Sequence, residues 1–136
     1  MELVQKIEHE DRILAYIIPA SSRPERTTFV TPPDDKQQVG FVVYPSGGTI
    51  QRHFHKRYRR EIHGTSEVLI VRTGLCEVDI YDTARDDKKL VTTKTLRAGD
   101  VLVLVTGGHG FRVIEHTVFL EVKQGPYLQI DDKEVF

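Results

Sequence analysis

The chain has 136 residues, with nineteen basic against twenty acidic side chains and a formal net charge of −1. That length is one ordinary domain, and the balance excludes a whole-chain basic field for nucleic acid, although not a local patch. The single cysteine, Cys76, excludes an intramolecular disulfide framework and any multi-cysteine zinc site. No apolar run approaches the roughly 20 residues that cross a bilayer, and the first residues carry charge where a signal peptide needs an apolar stretch. The expected setting is a reducing cytoplasm, with no nucleic acid and no membrane as partner.

In chain order, residues 1–38 read as an N-terminal segment with one edge strand and a loop. The first twelve residues are compatible with one or two helical turns. Residues 13–18, ILAYII, form a short apolar run. Residues 19–38 are rich in Pro, Ser, Asp and charge, with only Phe29 and Val30 as apolar punctuation, and so read as loop. Residues 39–136 read as a succession of short strands: 39–44, 49–55, 67–72, 76–81, 90–96, 101–105, 111–114, 118–122 and 127–130. Turn signals fall between them, at Pro45-Ser46-Gly47-Gly48, Thr73-Gly74, Ala98-Gly99-Asp100, Gly107-Gly108 and Gly125-Pro126. Strands of this length with turns about every ten residues predict an all-β sandwich or barrel. No window of a dozen residues keeps a helical apolar period.

The histidines are where chemistry is expected. His53 and His55 lie two apart in a predicted strand, so their side chains leave one face. Glu67 opens the next strong strand, EVLIVR, and one antiparallel register places it opposite that pair. His109 follows Gly107-Gly108 after the 101–105 strand. Three imidazoles and one carboxylate converging in a barrel would make an octahedral shell with two open positions. Such a site suits a divalent metal ion, Fe, Mn, Ni or Zn. Open positions let the metal act on a substrate.

These motifs resemble the cupin superfamily. Its first motif runs Gly, five residues, His-x-His, three or four residues, Glu, six residues, Gly. Here Gly48 is followed by TIQR and then His53-Phe54-His55; eleven residues precede Glu67, and six more precede Gly74. The longer gap implies an expanded loop over residues 56–66. The second motif is matched from Gly99 to His109, with Val105 in place of the usual proline and Val113 where an asparagine would stand. The chain is most similar to small cupins with a Gly-Thr-x-Glu-Val-Leu core and a Lys-Gln-Gly-Pro-Tyr tail, here residues 64–69 and 123–127. The resemblance implies a single-domain double-stranded β-helix, a jelly-roll-like cupin barrel over residues 39–136. It also implies a metal held by His53, His55, Glu67 and His109.

The rivals are weaker. Glu61 lies nearer the usual motif gap, but no glycine follows it at the required distance. His63 reads as a loop residue that could stand at a pocket mouth; His9 and His116 read as edge or solvent residues. Cys76 reads as a small buried hydrophobe. Arg52, Lys56, Arg57, Arg59 and Arg60 form a locally basic run, usually a solvated face. Arg60 is the preferred candidate for receiving an anionic group on a ligand. The functional expectation is a metal-dependent isomerase or oxygenase acting on a small polar molecule such as a sugar or organic acid, with no catalytic residue assigned. The alternatives are a non-catalytic binding module and a metal-independent nucleotide-sugar epimerase. A homodimer is expected, with residues 13–18 well placed to add a strand to a second subunit.

Overall fold

One strand organises the molecule. In the computed structural model, which describes residues 3–130 and 132–136, strand β5 (Glu67–Asp82) runs for 16 residues and is paired along both edges. It follows β1 (Gln5–His9), β2 (Arg12–Ile18), β3 (Thr28–Phe29) and β4 (Gly40–Phe41). After it come β6 (Lys89–Arg97), β7 (Val101–Leu104) and β8 (Gly108–Lys123). One edge of β5 is shared: residues 67–70 pair β7 and residues 75–82 pair β6. The other edge is taken by β8 from Glu67↔Lys123 to Tyr81↔Gly108. Beyond β7 lie β2 and then β1, so the sheet reads β1-β2-β7-β5-β6 with β8 on the far side of β5. Every pairing is antiparallel, and the sheet curls strongly into a half-barrel. The described residues contain no helix. The all-β expectation therefore holds.

Gly74 makes the long strand possible. It has φ of 104°, and a Cβ there would run into the backbone carbonyl of His116. Around it the β5–β8 register shifts three times between Val71 and Cys76. Glycine lets the ladder bend without breaking. The predicted pairs of strands at 67–72 and 76–81, and at 111–114 and 118–122, are thus single bent strands.

Side chains alternate between two faces. The inner face buries Leu69, Val71, Cys76, Val78 and Ile80 of β5 with Leu96, Leu102, Leu104, Leu14 and Ile17. Burying each such side chain contributes roughly 1.5–3 kcal/mol. The outer face buries Val68, Val103, Tyr16 and Ile18, and the 30–41 stretch covers it through Val30, Val39 and Phe41.

Several expected elements fall differently. Residues 5–9 are a strand rather than helical turns, because β2 supplies a backbone partner and Ile7 reaches the inner core. Strand β2 lies between β1 and β7 of its own chain, so residues 13–18 are an interior strand and not an edge offered to a second subunit. Of the predicted strand 39–44, only Gly40–Phe41 forms one, against β3. Residues 49–55 and 127–130 are irregular. No helix among the described residues is long and apolar enough to cross a membrane.

Candidate functional site

Two of the four expected metal ligands stand on one face of one strand pair. Residues directly opposite in an antiparallel ladder share a face. His109 is opposite Ile80, Phe111 opposite Val78, Phe119 opposite Val71 and Glu121 opposite Leu69. All four partners belong to the inner core, so His109, Phe111, Phe119 and Glu121 line the inner face of β8. Glu67 begins β5 on that face, one step from Glu121.

The start of β5 is clamped to the end of β8. The Ser66 N–H donates to Gln124 Oε1 at 2.9 Å, and Gln124 Nε2 donates to Ser66 Oγ at 3.0 Å. This reciprocal bond joins the Gly-Thr-Ser-Glu-Val-Leu stretch to the Lys-Gln-Gly-Pro-Tyr stretch, and it sets Glu67 beside β8. Glu67 is half-buried and hydrogen-bonds the Glu121 side chain. Burial and then this second carboxylate push its carboxyl up to about 7, against the pull of Lys123 and Lys133. Glu121 is shifted down in turn, first by its hydrogen bond with Glu67 and also by Lys123, whose ammonium lies 3.7 Å away. His109 is exposed at the start of β8, and the partial loss of water around its ring, helped by Lys133, holds the imidazole below its ordinary range, while Glu121 acts in the opposite direction. The ligand atoms of His109 and the two carboxylates do not all come within 4.8 Å of one another, and Glu121 reaches His109 only through its charge.

His53 and His55 are not brought to this group. Both are exposed in the irregular stretch before β5, their rings edge-on at a centroid separation of 5.2 Å. His53 Nδ1 is 2.9 Å from the Gln51 carbonyl oxygen. Glu61 is exposed and pairs with His63 at 3.7 Å. His116 is exposed at the β8 bend. Cys76 is fully buried and burial pushes its thiol up, as suits a small core hydrophobe. Arg60 is exposed, its guanidinium 5.4 Å from the centre of the Tyr58 ring.

A second charged cluster was not legible beforehand. His9 Nδ1 donates to Asp82 Oδ2 at 2.6 Å, Arg12 Nη2 donates to the same oxygen at 2.5 Å, and the Ala84 N–H donates to Oδ1 at 3.0 Å. These donors, His9 foremost, hold the buried Asp82 carboxyl well below the usual carboxylate range. Ligand atoms of His9, Glu10 and Asp82 lie within 4.8 Å of one another, the one such trio among the described residues. Arg12 and Arg85 already neutralise it, reaching Glu10 at 3.3 and 3.0 Å. The cluster therefore works as a lock between the β1–β2 turn and the β5–β6 turn. A strand-end Asp before a turn was its only sequence signal; its partner lies 73 residues away.

A cleft of about 390 Å³ opens between the 31–37 loop and residues 62–66. Asp34, Asp35, His63, Ser66, Thr106 and Gln124 line it. Burial and Asp34 raise the Asp35 carboxyl. The cleft touches none of the four expected metal ligands. No protein-family model, curated protein or solved structure matches the chain.

Proposed function

We propose that the protein is a metal-binding barrel of the cupin kind that acts on a small polar molecule. The observation that supports the reading is the placement of Glu67, Glu121 and His109 on one inner face of the β5–β8 pair, where burial and Glu121 raise the Glu67 carboxyl. A divalent cation drawn between the two carboxylates would relieve their like-charge conflict.

The exposed His53 and His55 fit the same reading. The only strand partner of β8 among the described residues is β5, so its other edge is free along 108–123. The 49–55 stretch has an alternating pattern, no strand partner, and Ile50 and Phe54 exposed. Laid along the free edge beside His109, it would close the half-barrel and turn both imidazoles inward. His53, His55, Glu67 and His109 would then hold the ion, with Glu121 adjusting the charge on Glu67. A bound divalent ion supplies Lewis-acid polarisation of a substrate oxygen, or a redox centre if it is iron. Phe111 and Phe119, with ring centroids 5.2 Å apart, would form the apolar floor that excludes water.

The test is metal content after purification without a chelating tag. About one divalent ion per chain is expected in the wild type, with sharp loss in His53→Ala, His55→Ala, Glu67→Gln and His109→Ala. Glu61→Gln, His63→Ala and His116→Ala should retain it. A metal-free wild type that takes up neither Mn²⁺, Zn²⁺, Ni²⁺ nor Fe²⁺ would overturn the reading. Iron retention with oxygen consumption would select the oxygenase form, and turnover without oxygen the isomerase form.

A further inference from the structure

Residues 52–60 hold five cations, Arg52, Lys56, Arg57, Arg59 and Arg60, and no carboxylate. All nine residues are exposed. None of the five cations makes an ion pair among the described residues. Elsewhere the chain behaves differently: Arg12, Arg85, Arg112 and Lys123 each meet a carboxylate. Removing these five from the nineteen basic side chains leaves fourteen against twenty acidic ones, so the remainder carries −6. Positive charge is thus concentrated in one short stretch that also contains His53 and His55.

A divalent ion held by those two imidazoles would add two further positive charges within a few residues of the five. Glu61, which follows Arg60 directly, Glu67 and a Glu121 already 3.7 Å from Lys123 carry too little negative charge to offset seven positive ones. Mutual repulsion would weaken such a site unless a negative ligand completed it. Among the five cations Arg60 is the one already positioned, because its guanidinium rests over the Tyr58 ring. Stacking on one face restrains the side chain and leaves its planar N–H fork free for a bidentate oxyanion.

We propose that the ligand of this site is a small oxyanion, a molecule bearing a phosphate or carboxylate group, received by residues 52–60 with Arg60 as principal partner. The proposal rests on the metal reading above and narrows it from a polar molecule to an anionic one. A compact anion suits the distribution better than a polymer does. The positive stretch spans nine residues, and a long polyanion would extend from it over a surface of net −6.

Calorimetric titration at low ionic strength tests it. Mn²⁺ is first titrated into metal-free protein, and inorganic phosphate, succinate, glucose and a single-stranded oligouridylate are then titrated into the Mn²⁺-loaded protein. Phosphate or succinate is expected to bind, the stronger of the two identifying the anionic group, while glucose does not. Arg60→Ala should weaken that binding about tenfold, as loss of a charge-assisted bidentate contact does. The bound anion should raise Mn²⁺ affinity by the factor by which Mn²⁺ raises anion affinity. Binding of neither anion, binding indifferent to Arg60→Ala and Arg59→Ala, or preferential binding of oligouridylate would overturn the proposal. If Mn²⁺ does not bind, the metal reading fails separately. Phosphate titrated into the metal-free protein then decides: Arg60-dependent binding keeps the anion site, and its absence removes it.

Discussion

The two sides of β5 have opposite fates. On one side β7 is followed by β2 and β1, and its outer-face Val103 is buried to 2% exposure. On the other side no further strand pairs with β8 among the described residues, and Val118, Leu120 and Val122 remain 45–48% exposed. The residue types are the same. The difference is whether a further strand and a covering loop reach the surface. The covered side carries the buried core, and the open side carries the exposed His109 and Glu121 and an edge with no strand partner among the described residues.

The largest contrast is in stability. Leu102→Ala should cost about 3 kcal/mol, the transfer term plus a cavity. Leu120→Ala, on the exposed face, should cost less than about 0.5 kcal/mol. Urea denaturation of the metal-free protein measures both. A large loss for Leu120→Ala would mean that the open side is covered in solution.

Metal should convert one side into the other. Mn²⁺ at about a hundred times its dissociation constant should stabilise the protein by about 2.7 kcal/mol. Amide exchange over residues 49–55 and along β8 should slow on metal addition, and His109→Ala should abolish both effects. Protection elsewhere, with 49–55 unchanged, would break the link between the exposed histidines and the β8 edge.

Acid probes the covered side. Asp82 is held below the ordinary carboxylate range by His9, the Ala84 N–H and Arg12. A carboxylate depressed in the folded state contributes stability above its unfolded pKa and loses it as pH falls. Wild type should therefore weaken below about pH 4, near the ordinary Asp value, and Asp82→Asn should flatten that limb of the melting-temperature profile. Its loss at neutral pH should be smaller than that of Leu102→Ala.

The range from mild acid to neutrality probes the open side, with the smallest effect. Glu67 is raised from its ordinary value to about 7, so the folded protein binds a proton there that the unfolded chain has lost. Stability from this group is complete below about pH 4.5 and declines as pH rises to about 7. After solvent screening the decline should be no more than about 1 kcal/mol. Glu121→Gln should reduce the slope in metal-free protein, and saturating metal should reverse it. A slope unchanged by Glu121→Gln would separate the two carboxylates.

Much of this was legible in residue order. The runs around Glu67, Cys76, Leu90 and Val101 are strands because alternation and turn residues are local signals. Cys76 reads as a core hydrophobe because it sits in phase with Val78 and Ile80. The inner position of His109 could be guessed from its glycine-flanked place, but Glu121 as the neighbour of Glu67 could not. That pairing depends on a register across more than fifty residues. The 49–55 stretch has the pattern of a strand and no partner in this structure, since alternation prepares a backbone for pairing without supplying the second strand.

Composition and periodicity by themselves determined an all-β chain with one buried cysteine and a histidine-rich, locally basic stretch before Glu67. Side-chain phase along a strand depends only on neighbours two residues apart. Only the tertiary structure decided that β2 is interior, that Asp82 is locked by His9 and Arg12, that Glu67 meets Glu121, and that β8 keeps a free edge. Each of these follows from which distant segments pair, and hydrogen bonds between strands carry no local signature of the partner they will find.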